Sequence, residues 1–134
     1  MGDRIAFGFR ADKDEPVIWL YSHWGGASRY SDLANALSSA MPRWEDASYA
    51  TRIAMSTIIG DDWNKETGYG VSVGKRCGIE LDYDEAPIVN WYNKTVTIES
   101  ERDGTVHVDY GFHAFMSTTD VPYIVRAVKV RPGA

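Results

Sequence analysis

Apolar and polar positions alternate along this chain in two rhythms, one of strands and one of helices. Ile5 to Phe9 is a short apolar run that predicts a strand, and Lys13-Asp14-Glu15-Pro16 then turns the chain. Val17-Ile18-Trp19-Leu20-Tyr21 is the most apolar run in the sequence and lacks strict alternation, which predicts a central strand buried on both faces. The period then lengthens. Leu33, Ala36, Leu37 and Ala40 fall at helical spacing behind Ser31 as N-cap, and Pro42 ends that helix. Asp46 or Ser48 caps a second helix with the stripe Tyr49, Ala50, Ile53, Ala54, Thr57 and Ile58, stopped by Gly60. Each helix has one apolar face to lay on a sheet.

The second half reads as β. Tyr69 to Val73 is a short strand among Gly68, Gly70 and Gly74. Pro87 to Tyr92 and Thr95 to Glu99 form a hairpin around Asn93-Lys94, with Val96 and Ile98 on one face and Thr95, Thr97 and Glu99 on the other. After a turn at Arg102-Asp103-Gly104, Thr105 to Asp109 repeats the pattern with Val106 and Val108 inward and His107 outward, completing a meander. At the C-terminus Val121, Ile124, Val125 and Val128 fit a helix stripe, but the β-branched content of Tyr123 to Val130 favours a strand. The expected fold is α+β: an antiparallel or mixed β-sheet with two amphipathic helices packed on one face. With no linker, repeat or low-complexity tract, residues 1–134 are expected to form a single domain.

Composition narrows the function classes. A net charge of −5 argues against non-specific nucleic-acid binding, which needs a basic field, but leaves room for a local anion pocket. The single cysteine, Cys77, cannot form an internal disulfide, and no Cys/His set has zinc-ligand spacing, so no metal or other cofactor is expected. MGDRIAFGF carries no apolar signal region, and no run approaches the roughly 18 apolar residues of a membrane span. The expectation is a cytoplasmic protein without a membrane partner. Five Trp and eight Tyr in 134 residues imply a large aromatic core, a stacking surface, or both.

The most informative stretch is Leu20-Tyr21-Ser22-His23-Trp24-Gly25-Gly26-Ala27-Ser28-Arg29. It runs from a buried strand through paired glycines into a helix. Such a turn can present free backbone N–H groups and the positive end of a helix dipole to an anion, with glycines allowing close approach. His23, Trp24, Gly25, Gly26, Ser28 and Arg29 are therefore candidate ligand-binding residues. Arg43 and Trp44, a guanidinium beside a flat ring, and Tyr69 in Gly68-Tyr69-Gly70 complete the set. The alternative is a tight turn whose glycines solve a backbone problem, with Arg43-Trp44 as a helix-linker staple. The Gly-Lys-Ser/Thr ending of a phosphate loop is absent.

No catalytic residue is assigned. Ser22 and His23 are consecutive on a strand and point to opposite faces, so they form no dyad there, and a hydrolase would need His23 with a carboxylate the sequence does not single out. Asp61, Asp62 and Glu66, and Glu80, Asp82, Asp84 and Glu85, lack calcium-loop spacing and read as solvated loops. His107 and His113 read as structural.

LYSHWGG at 20–26, Arg43-Trp44 with Tyr49 and Arg52, and Thr67-Gly68-Tyr69-Gly70-Val71-Ser72 together resemble a group of small proteins encoded by tailed phages, notably those of actinobacteria. The likeness covers residues 17–73 and carries no residue roles. It implies a small protein made during infection that modulates host function or defence by binding. Two functions are expected from these observations. One is capture of a small anionic or nucleotide ligand at the Gly25-Gly26 turn, with a homo-oligomer as a candidate form of the protein. The other is inhibition of a host protein through an exposed aromatic surface including Trp63, Trp91 and Tyr92.

Overall fold

The computed structural model describes residues 2–117. The segment 118–134, where helix and strand patterns compete, lies outside the described residues. The protein is α+β, with a six-stranded mixed sheet and two main helices packed against it. Strands β1 (Ile5–Arg10) and β2 (Ile18–Ser22) form the first hairpin. Helices α1 (Arg29–Ala40) and α2 (Ala47–Ile59) follow, joined by a 3₁₀ turn at Met41–Arg43. Then come β3 (Tyr69–Val73), β4 (Ala86–Asn90), β5 (Thr95–Glu99), β6 (Val106–Gly111) and a short helix α3 (Phe112–Met116). The sheet order is β3-β2-β1-β4-β5-β6, and among the described strands only the central β1–β4 pair is parallel.

Side-chain alternation explains the layering. Ile5, Phe7 and Phe9 of β1, Leu20 of β2, Val89 of β4 and Val96 and Ile98 of β5 join Leu33, Leu37, Ala50, Ala54 and Ile59 in the main core. A second, smaller core occupies the opposite face. There Ala6, Trp19, Ile88 and Ala86 are covered by Val17 and Cys77, so the loop 74–85 does on this face what the helices do on the other. Gly8 is small because that face is crowded. A Cβ there would lie 2.8 Å from Val17 and 3.0 Å from both Ile88 and the Trp19 ring. Trp19 Nε1 donates to the Gly74 carbonyl at 2.9 Å and pins the loop.

Asp46 caps α2 by accepting from the Tyr49 amide, and Gly60 closes it at φ +64°. Four expectations need correction. Helix α1 begins at Arg29 with Ser28 at the N-cap position, and Ser31 lies inside its first turn. The α2 stripe is shifted: Thr51, Met55 and Ile59 are buried, whereas Tyr49 and Thr57 are exposed. A register shift between β5 and β6 at Ile98/Glu99 leaves Val106 exposed and His107 half-buried, reversing the simple alternation. Trp91, expected on an exposed aromatic surface, is only 2% exposed, and its Nε1 donates to Thr51 Oγ1 at 2.9 Å.

Candidate functional site

The Gly25-Gly26 turn joins the end of β2 to the head of α1, as the sequence implies. Its anion seat is filled from within the chain. Asp3 Oδ2 accepts from the Ala27 amide at 2.7 Å, and the Asp3 carbonyl accepts from the Gly26 amide at 2.9 Å. Asp3 Oδ1 also accepts from the Tyr83 hydroxyl at 2.6 Å, which with burial pushes the Tyr83 phenol up. A Cβ on Gly26 would overlap both the Asp3 carboxyl and the Tyr83 ring. A Cβ on Gly25 would lie 2.6 Å from Ser22 Oγ. These two glycines are therefore small to admit the protein's own side chains, not a ligand. A second carboxylate, Asp32, sits in the first turn of α1 and accepts from Ser28 Oγ at 2.8 Å. With Asp3 and Asp32 at the positive end of α1, the expectation of open amides at Gly26 and Ala27 is corrected.

Arg29 is engaged in the same way. Its Nη1 donates to the Gly26 carbonyl at 2.6 Å, and its guanidinium lies 4.6 Å over the Tyr30 ring and 4.1 Å over the Tyr83 ring. Burial pushes the Tyr30 hydroxyl up to about 12. Nearby in charge, Glu85 approaches His107, with Oε2 3.9 Å from Nδ1. His23 Nδ1 is 2.8 Å from the Tyr21 hydroxyl, and its ring meets Trp24 edge-on at 4.7 Å. Among the described residues no carboxylate is hydrogen-bonded to His23, and the partner of its Nδ1 is the Tyr21 hydroxyl. Trp24 is 60% exposed and lies over Gly68, beside Tyr69, whose strand pairs with Ser22.

Arg43 and Trp44 are not part of this group. They follow the C-terminal end of α1, whose 12 residues span roughly 18 Å. Trp44 is buried, donates from Nε1 to the Leu37 carbonyl at 3.0 Å and packs on Phe112 at 4.8 Å. Arg43 lies 4.6 Å over the Tyr49 ring. Residues adjacent in sequence to the linker thus staple α1, α2 and α3 together.

Two larger concave surfaces lie elsewhere among the described residues. A cleft of about 690 Å³ opens between α2 and the β1–β2 hairpin, on the helix side of the sheet. Phe9, Ile18, Met55 and Val73 supply apolar wall, and Trp63, 51% exposed, stands at its margin. Arg10 and Arg52 add two guanidinium groups, and Glu15 one carboxylate. The cleft exists because α2 presents Ala47, Ser48 and Thr51 towards the hairpin, and these short side chains do not fill the gap. A second cleft of about 560 Å³ lies around the same hairpin on the other face, bounded by Val17, Ile88, Gly74 and Glu99. The two share Arg10, Glu15 and Pro16. The only sequence signal for the first cleft is the row of small residues on α2 opposite Pro16.

The acidic run 80–85 is less free than expected. Asp82 accepts from the Arg4 amide at 2.6 Å and forms an ion pair with its guanidinium at 2.9 Å, which holds its carboxyl down to about 2. Asp84 accepts from Arg102 Nη2 at 2.7 Å and from Ser100 Oγ at 3.0 Å. These pairs tie the 74–85 loop to β1 and to the β5–β6 turn. Among the described residues no group of three His, Cys, Asp or Glu is placed to hold a metal ion, and no helix is long and apolar enough to cross a membrane. No protein-family model, curated protein or solved structure matches the chain.

Proposed function

We propose that this is a binding protein that captures a small ligand with a flat apolar part and an anionic part, of the nucleotide class, in the cleft between α2 and the β1–β2 hairpin. The carrying observation is that cleft: about 690 Å³, walled by apolar side chains, with Arg10 and Arg52 as the polar groups that can fix an anion. Its volume lies within the roughly 300–1,000 Å³ of ordinary small-molecule sites, which combine apolar walls with a few polar groups. Trp63 supplies a ring on which a base can stack, a contact worth about 1–3 kcal/mol per base. The site is thereby moved from the head of α1, where Asp3 already occupies the seat an anion would take. Sequestration of a nucleotide by a small phage protein is the physiological form of this reading. Titration with a panel of nucleotides and cyclic nucleotides, followed by calorimetry and tryptophan fluorescence, tests it. Binding that falls about tenfold or more in both Trp63→Ala and Arg52→Gln is expected. Absence of binding by the folded protein at millimolar ligand overturns it.

A protein partner is the second reading, favoured by the edge of the described sheet. Strand β3 has no described neighbour on its outer side, carries no charge from Gly68 to Gly74, and exposes Val71 and Val73. Natural edges are usually blunted by charge or proline, and an uncharged one is a template for strand addition. Light scattering on the wild type and on Val71→Lys identifies a second copy as that partner if the wild type dimerises and the variant does not. A monomeric wild type removes self-pairing.

A further inference from the structure

The second cleft differs from the first in charge. Four cationic side chains border it: Arg10 at the end of β1, Lys13 in the β1–β2 turn, and Lys75 and Arg76 just after β3. These are four of the 14 basic residues of a chain whose net charge is −5, gathered on one concavity of about 560 Å³. Opposing them are Asp14, Glu15 and Glu99. Arg10 Nε is buried and has no hydrogen-bond partner, which leaves a donor unsatisfied beside the cleft. Arg76 is pre-positioned: one guanidinium nitrogen donates to the Lys75 carbonyl at 2.9 Å, and the group lies where a Cβ on Gly104 would stand. An unpaired buried guanidinium nitrogen, a fixed second guanidinium and two lysines form a donor set suited to the tetrahedral oxyanions of a phosphate chain.

We propose that this cleft holds the phosphate groups of the ligand whose flat part lies in the apolar cleft, Arg10 facing both. The inference rests on the reading given under Proposed function, and the shared residues Arg10, Glu15 and Pro16 make the two clefts neighbours around one hairpin. The ligand class narrows accordingly to a nucleoside di- or triphosphate. Glu99 modulates the site. It lies in the field of Arg10 on β1, Arg76 in the 74–85 loop, Asp109 on β6 and Glu101 in the β5–β6 turn, and burial pushes its carboxyl up. A polyphosphate arriving beside it favours its protonated form further, so binding takes up a proton and strengthens as pH falls.

The experiment is calorimetry with three probes, adenosine, adenosine 5′-triphosphate and inorganic triphosphate, on the wild type, Arg76→Gln and Glu99→Gln, each shown folded by circular dichroism. The triphosphate nucleotide is expected to bind at least about tenfold tighter than the nucleoside. Arg76→Gln should remove most of that gain and leave adenosine affinity unchanged. Glu99→Gln should strengthen the nucleotide and flatten its pH dependence. Equal losses for nucleoside and nucleotide in Arg76→Gln, with the nucleotide still the tighter ligand, overturn this inference and leave the apolar-cleft reading standing, whereas equal affinity for the two ligands in the wild type overturns both. Binding of inorganic triphosphate without any binding of adenosine supports the phosphate cleft and removes the apolar one. Failure of all three probes overturns both.

Discussion

Replacing Asp3 by alanine removes the internal anion at the head of α1. The backbone bonds from the Asp3 amide to the His23 carbonyl and from the Gly26 amide to the Asp3 carbonyl survive the change, so the loss is the side chain's alone. That side chain accepts from the Ala27 amide at 2.7 Å and from the Tyr83 hydroxyl at 2.6 Å. A hydrogen bond to a charged group contributes about 1.5–3 kcal/mol. Asp3 lies near solvent and Tyr83 is half-buried, so water replaces part of what is lost and the lower end applies to each. Loss of a negative charge from the positive end of a helix adds about 0.3–1 kcal/mol. The expected cost is about 3–4 kcal/mol. At about 2.1 cal/mol/K per residue, a 134-residue chain has an unfolding entropy of roughly 0.28 kcal/mol/K near its midpoint, so Tm falls by about 11–14 °C. Urea titrations monitored by tryptophan fluorescence give the free energy, and scanning calorimetry gives Tm. Asp3→Asn, which keeps an acceptor and loses the charge, should fall between wild type and alanine. A cost below about 0.5 kcal/mol for Asp3→Ala would refute the assignment of this carboxylate as the anion that fills the turn.

Other expectations follow from single contacts. Thr51→Val keeps shape but leaves the buried Trp91 Nε1 without its acceptor, and should cost about 1–3 kcal/mol in urea titration, whereas Thr57→Val on the exposed side of α2 should cost much less. Asp82 is held down to about 2 by hydrogen bonds from Arg4, so its folded form binds fewer protons than the unfolded chain. Its contribution is present above about pH 4 and fades as pH falls towards 2, and Asp82→Asn should flatten the dependence of the urea midpoint over that window. Cys77 is buried and its thiol is pushed up by that burial, so Ellman's reagent should react with it only as fast as the loop 74–85 opens, and at once in denaturant.

Much of the fold is legible in the sequence because it follows from local periodicity. The helices and the hairpin around Asn93-Lys94 each fit within a window of about 15 residues, and their apolar positions assign most of each buried face. The site is less legible because its causes are distant in sequence. Asp3 lies 24 residues from Ala27 and Tyr83 lies 57 residues from Gly26, and nothing in GGASR announces that a carboxylate just before the first strand fills the turn. Arg43-Trp44 reads as part of the same group because α1 is short in sequence, but a helix is rigid and separates its ends in space. Val106 and His107 exchange their expected orientations through one register shift, which no alternation rule contains. The clefts depend on small residues leaving space, and a missing side chain gives a weaker pattern than a present one.

A ligand held beside α2 and the first hairpin, and not at the glycine turn, is seen directly by amide and indole chemical-shift mapping with a nucleoside triphosphate. Perturbations are expected at Phe9, Arg10, Ile18, Thr51, Met55 and the Trp63 indole, with Gly25 to Arg29 unmoved. Shifts centred on Gly25 to Arg29, or no shift anywhere at millimolar ligand, would refute the proposed cleft.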